Sequence, residues 1–198
     1  GNTCDTPAIV LASSISGGFA VRAAINKPEM FKSLILTNPT GLSDFGEDYN
    51  NTFLAQIVKT PIVDRILYST AIANPTGIAT FLEQRQFANP NRIDAEIVEA
   101  YLNSAQQPNA ECSALSFVGG DACFDLAAFL PQLTTPTAIL WGKEAQFVSE
   151  AVGKRLAALN PTAIREFRVL EDVGLTPQLE LPAVTIGIIS AWLEGICA

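Results

Sequence analysis

Around Ser14 the sequence reads Ala12-Ser13-Ser14-Ile15-Ser16, a serine with small residues two positions away on either side. That spacing suits a side chain presented on a strained turn from strand to helix, where larger neighbours would collide with adjacent backbone. A hydroxyl so placed is a candidate nucleophile for attack on a carbonyl, provided that a base accepts its proton. The chain contains no histidine, so the usual base is absent however the sequence is aligned. A second frame, Ser14-Ile15-Ser16-Gly17-Gly18, meets the same pattern with Ser16 at its centre. A small-residue turn between strand and helix also occurs with no catalytic role.

The flanking residues supply the elements that such a turn needs. Residues 8–11 form a short apolar run, 19–26 carry a helical pattern, Pro28 stops the helix, and 34–36 are apolar again. This is a strand, a helix and a second strand, with the two strands parallel. From Asn38 to about Pro131 the chain turns polar, with turn signals at Asn74-Pro75 and Asn89-Pro90-Asn91. Helical patterns occupy 62–70, 77–85 and 93–104, the last with Ile93, Ile97 and Tyr101 on one face, and no strand is convincing there. After Pro136 the alternation resumes, with a strand over 137–141, a helix over 149–159, a strand over Ile164–Leu170 and a last helix over 183–196. The expected fold class is α/β: a parallel sheet of about four strands flanked by helices and interrupted by a helical cap. The boundaries are 1–38 for the first part of the core, 39–131 for the cap and 132–198 for the second part of the core.

Length and composition narrow the remaining choices. A chain of 198 residues that is 48% hydrophobic can bury the core of a single domain. Twelve Lys and Arg against twenty Asp and Glu give a net charge of −8, which argues against nucleic acid and anionic lipid as partners. The apolar tail 181–198 is interrupted by Thr185, Gly187, Ser190, Glu194 and Gly195, so it reads as a buried helix rather than a membrane span. Cys4, Cys112, Cys123 and Cys197 lack the close pairing of a zinc or redox motif, and no metal or cofactor is expected. Cys112 and Cys123 bracket a loop-like segment that a disulfide could span, although free buried thiols are the simpler reading. The chain starts at Gly1 and its one methionine is Met30, from which a preceding segment is expected. Localisation stays open, with a soluble, cytoplasmic protein favoured.

Through PAIVLASSISGGFAVRAAINKPEMFKSLILTNPTG, and again through PTAILWGKEAQFVSEAVGKRLAALNP and FRVLEDVGLTPQLELP, the chain resembles the α/β-hydrolase family. In that family the nucleophile strand, its helix, a helix-ending proline and the next strand recur at nearly fixed intervals. Only the frame centred on Ser14 puts Pro28 and 34–38 at those intervals. The resemblance implies Ser14 as the nucleophile position and the backbone N–H of Ile15 as one oxyanion donor. It also implies that the N-terminal strands of the fold, and the loop that carries the second donor, are missing from this chain. The family acid usually lies three residues beyond the glycine of the strand ending Trp-Gly, a position held here by Ala145. The family histidine usually follows the glycine after the next strand, a position held here by Leu175. Loss of that histidine from a serine hydrolase costs on the order of a millionfold in turnover.

Asp44, Glu144 beside the acid position, and Lys143 are the substitute bases to weigh. A carboxylate with a pKa of about 4 is a poor base for a hydroxyl, and a lysine near roughly 10.4 stays protonated unless strongly desolvated. Each reads more simply as a solvated loop charge. Three functions stay open. One is a degenerate relative that binds a small apolar molecule or a protein partner. Another is an active serine hydrolase or lyase whose base and oxyanion loop come from elsewhere. The third is a structural subunit that uses an exposed sheet edge. The strand ending at Ser13 carries no charge, and its edge is expected to be covered by a partner, another copy of the chain or a rearranged terminal element.

Overall fold

The computed structural model describes residues 6–46 and 68–197. Its core opens with β1 (Ala8–Ser13), α1 (Ser14–Asn26) and β2 (Phe31–Thr37). It closes with β3 (Thr137–Gly142), α5 (Glu150–Ala158), β4 (Ile164–Leu170), α6 (Pro177–Glu180) and α7 (Pro182–Cys197). Between β2 and β3 lie α2 (Pro75–Phe81), α3 (Ala95–Ala105) and α4 (Ala110–Gly119). The four strands form one parallel sheet in the order β1-β2-β3-β4, with Val10 opposite Leu34, Leu36 opposite Ile139 and Trp141 opposite Val169. A parallel strand buried on both faces is apolar without interruption, which is why β2 and β3 are legible as Leu34-Ile35-Leu36 and Ala138-Ile139-Leu140-Trp141.

One face of the sheet, with Leu34, Leu36, Ile139 and Trp141, packs with Val21 and Ala24 of α1 and Val152 and Leu156 of α5. The insertion has a small core of its own, in which Ile78, Leu82 and Phe87 meet Ile93, Ile97, Val98 and Tyr101. Its helices start where local chemistry allows. Asn74 accepts a hydrogen bond from Gly77 N ahead of α2, with Pro75 as the first helical residue, and Asp94 accepts one from Ile97 N ahead of α3. A π-helical turn, Leu82–Gln86, extends α2 over the rest of the expected 77–85 helix.

Several expectations need correction. The tail is a helix, but Thr185 and Ile188 are buried whereas Val184 and Ile186 are 46% and 62% exposed. α7 is apolar nearly all round, and the described residues cover only one side of it. The segment from Cys112 to Cys123 is mostly α4 rather than a loop, because Ala110–Gly119 sustains helical hydrogen bonds until Gly120, at φ +81, ends it. Cys112 is exposed, Cys123 is partly buried, and both are free. Most of the expected 62–70 helix lies outside the described residues, and Tyr68–Ile72 forms a π-helical turn. β1 pairs only with β2, and no described strand covers its other edge, where Leu11 is 56% exposed. Of the covers expected for that edge, a rearranged terminal element is not found among the described residues.

Gly18 marks the tightest packing of α1. A Cβ there would lie 2.6 Å from Thr40 O and 2.8 Å from Phe124 Cζ. Gly18→Ala should therefore lower stability by about 1–3 kcal/mol despite the higher helix propensity of alanine. Urea denaturation checks this, and an unchanged or higher midpoint would contradict the close packing of α1 against the 40–41 backbone.

Candidate functional site

Ser14 is the first residue of α1 and has φ +52. For a residue other than glycine this left-handed backbone costs about 1–3 kcal/mol, so the surroundings must hold it. Thr40 N donates to Ser14 O at 3.3 Å, and Gly17 and Gly18 are buried beneath the segment that follows β2. Of the two motif frames, only that of Ser14 puts a serine on the turn, since Ser16 is an exposed residue within α1. Ile15, the second residue of α1, has an amide that precedes the first i→i−4 bond of the helix.

The loops after β2, β3 and β4 are joined by a residue that sequence reasoning did not single out. Asn38 is fully buried, has φ +44, and follows the end of β2. Its backbone N donates to Leu140 O at 3.0 Å. Its side-chain oxygen accepts from Gly142 N at 2.9 Å, and its Nδ2 donates to Leu175 O at 2.8 Å and to Gly174 O at 3.4 Å. Every polar atom of this side chain is thus used on backbone that leads into the loops carrying Ala145 and Leu175.

Ala145 and Leu175 are both buried, each on a loop at the same end of the sheet as Ser14. Ligands of open parallel sheets bind at this carboxyl end of the strands. Ala145 N donates to Gly142 O at 3.2 Å, and Leu175 N donates to Gln86 O at 2.7 Å. Neither side chain can accept a proton. The loop before Leu175 is locked to the insertion, because a Cβ on Gly174 would lie 2.3 Å from Gln86 O. Glu180, which sequence reasoning also missed, fastens the same contact by accepting from Gly174 N at 2.6 Å and Ala88 N at 2.8 Å. Arg92 reaches Glu180 at 3.5 Å and pairs with Asp172. Burial pushes the Glu180 carboxyl above its ordinary pKa, only partly offset by these donors and by Arg92. Within PQLELP nothing in the sequence distinguishes this glutamate from a surface charge.

The three substitute bases are occupied or exposed. Asp44 is buried and accepts from Thr40 Oγ1 at 2.6 Å, Gly41 N at 3.1 Å and Leu126 N at 2.9 Å. Its oxygens close the loop after β2 onto the segment before β3, and burial raises its pKa despite these bonds. Lys143 is exposed and pairs with Glu171 at 2.6 Å, which raises its pKa, the wrong direction for a base. Glu144 lines a polar cavity of about 620 Å³ with Glu83, Gln146, Glu171 and Asp172, among other residues. Ser14 lines neither this cavity nor the groove of about 640 Å³ between α2 and α3. Among the described residues no group of three or more Cys, Asp or Glu is placed to hold a metal ion. No described helix is long and apolar enough to cross a membrane.

No family model matches the chain, and no curated protein matches it. Solved structures do. A bacterial membrane phospholipase A shares 19% identity at a TM-score of 0.71, with 96% of this chain and 58% of that one covered. A thermophilic esterase from Thermogutta terrifontis shares 21% at 0.71, covering 96% and 66%. A meta-cleavage product hydrolase from Pseudomonas fluorescens IP01 shares 14% at 0.69, covering 96% and 65%. These likenesses show the α/β-hydrolase fold. The chain spans 58% to 66% of the length of these three structures.

Two outcomes follow from this geometry. Asn38→Ala should cost about 2–5 kcal/mol in a urea titration, because it strands a buried backbone N–H and two carbonyls. A loss under 1 kcal/mol would show that the loops hold without the amide. Asp44 has a folded-state pKa above its unfolded value, so the stability it contributes is present below the ordinary aspartate range and lost as pH rises through the raised value. Relative to Asp44→Asn, the wild type should therefore be favoured more at pH 4 than at pH 7. Denaturation curves at both values check the sign, and the opposite trend would mean that hydrogen bonding outweighs desolvation.

Proposed function

We propose that this chain is a degenerate relative of the α/β-hydrolases that binds a small apolar ligand or a protein partner and performs no triad hydrolysis by itself. The observation that carries this reading is the burial of Leu175, the residue that the resemblance puts at the base position, with its backbone already engaged by Gln86 and Asn38. An aliphatic side chain there leaves Ser14 as a neutral hydroxyl, a weak nucleophile without an adjacent base. By the resemblance, the buried Ala145 stands in place of the acid that would orient such a base.

A second reading rests on the strain at Ser14. The φ of +52 is costly for serine, and a turn with no remaining chemistry has no reason to keep a non-glycine residue in it. In that reading the chain contributes the nucleophile of an esterase-like hydrolase or lyase, while another segment or chain contributes the base and the second oxyanion donor. A structural role through the open edge of β1 is the third reading, supported by the exposure of Leu11.

The test is the reactivity of Ser14. The purified chain should hydrolyse p-nitrophenyl acetate no faster than Ser14→Ala and should not be labelled by a fluorophosphonate. Stoichiometric labelling lost in Ser14→Ala would reveal an active base and move the assignment to the second reading.

A further inference from the structure

The insertion between β2 and β3 carries a groove that its own core does not fill. Ile78 and Leu82 meet Ile97 and Tyr101 in the cluster that holds α2 and α3 together. Beside that cluster, Thr76, Ala79 and Thr80 of α2 and Ala95, Val98 and Leu102 of α3 line a groove of about 640 Å³. Glu83, in the π-helical turn after α2, and Glu99 of α3 complete the two walls, so that each follows i, i+3, i+4, i+7 spacing and presents one continuous stripe. From Pro75 to Glu83 the groove runs about 12 Å at 1.5 Å per residue, a little over two helical turns.

We propose that this groove docks an amphipathic helix of a protein partner, one whose apolar stripe is flanked by lysine or arginine. This gives the partner in the function proposed above its chemistry, and it rests on that reading. Ala79, Val98 and Leu102 are half-buried and form an apolar floor, whereas Thr76, Thr80, Glu83, Ala95 and Glu99 are exposed along the walls. So shallow a floor leaves much of a small molecule in water, and small-molecule sites enclose most of their ligand. A helix needs cover on one stripe only, and anchors at i, i+4 and i+7 match the length available. The two glutamates set the sign of the partner. They stand on opposite walls, and among the described residues neither has an ion-pair partner. No lysine or arginine lines the groove, and Arg85, two residues past Glu83, is not part of the lining. Its net charge is therefore that of two carboxylates, on a chain that itself carries −8. An apolar floor between anionic walls is complementary to an apolar stripe between cations, and charges so placed select the partner and its register. Asn74 and Asp94 cap the two helices and the shared cluster fixes their spacing, so little ordering is left for the partner to impose.

Fluorescence anisotropy with a fluorescein-labelled peptide of about 15 residues, long enough to form a helix in water, tests this, with leucine at i, i+4 and i+7 and lysine beside each leucine. The whole chain should bind it saturably, and should bind a scrambled peptide of the same composition, which lacks a single apolar face, about tenfold more weakly. Thr80 is exposed, so Thr80→Trp should fill the groove and abolish binding with circular dichroism unchanged. Glu83→Lys combined with Glu99→Lys should weaken the lysine peptide by about tenfold and confer binding of a peptide with glutamate in place of lysine. Equal affinity for the scrambled peptide, unchanged affinity in Thr80→Trp, or no exchange of preference in the double variant would overturn the proposal. Displacement of the peptide by an equal concentration of hexylamine would assign the groove to a small cation, and self-association lost in Thr80→Trp would assign it to a second copy of the chain; either would overturn the proposal too. Fluorophosphonate treatment of the same samples separates the two readings. A labelled Ser14 with the peptide bound as expected would move the functional assignment and leave the docking surface standing, whereas an inert Ser14 with no peptide bound would overturn the docking surface alone.

Discussion

The amide of Asn38 holds the carboxyl end of this sheet together. Parallel strands end in loops that share no hydrogen-bond ladder, so their relative placement must come from side chains or from packing. One buried side chain with an acceptor and two donor hydrogens is suited to the task, since it bonds both to an N–H and to carbonyls. Here it ties the end of β3 at Gly142 to the loop at Gly174 and Leu175, and the backbone of Asn38 adds Leu140. An aspartate would present no donor to those carbonyls, and a leucine would leave them unpaired in a buried site, at about 1–3 kcal/mol for each lost partner. The positive φ of Asn38 is the cost of aiming the amide this way, and asparagine tolerates it better than most residues do.

The clamp has consequences for the insertion. With Leu175 fixed by Asn38, its N–H is directed at Gln86, and the Glu180 carboxylate fills the gap between Gly174 and Ala88. The segment between β2 and β3 is thus fastened to the loop of Gly174 and Leu175. Ser14 is held from a different side, by Thr40 and the glycines of α1, and Asp44 secures the loop that contains Thr40.

The rest of the surface is uneven for a related reason. Among the described residues the outer edge of β1 is unpaired, α7 exposes Val184 and Ile186, and Leu11 lies outward. A sheet edge presents unpaired backbone groups and recruits other strands unless charge, proline or a cover prevents it. None of the first two protections occurs between Ala8 and Ser13. Exposure on α7 has the same origin, since a helix apolar on all sides needs cover on more than the one side that the described residues supply.

Local patterns in the chain determined most of the framework. Uninterrupted apolar runs marked β2 and β3, because a parallel strand inside a sheet meets other protein on both faces. Small residues marked the turn from strand to helix that the structure places at Ser14, and the lack of histidine needed no structure. The nature of the last helix as helix was equally plain, but its exposure was not, because burial depends on which neighbours arrive. α4 went unread for a related reason: its Ser, Cys and Gly residues give a weak helical pattern. Only the tertiary structure revealed the parts of Asn38 and Glu180. Asn38 acts across 104 and 137 residues of chain, and a polar side chain carries no periodic mark of where its partners lie. Periodicity records whether a position faces water or protein, whereas the direction of a hydrogen bond is set only when distant backbones have been brought within 3 Å of one another.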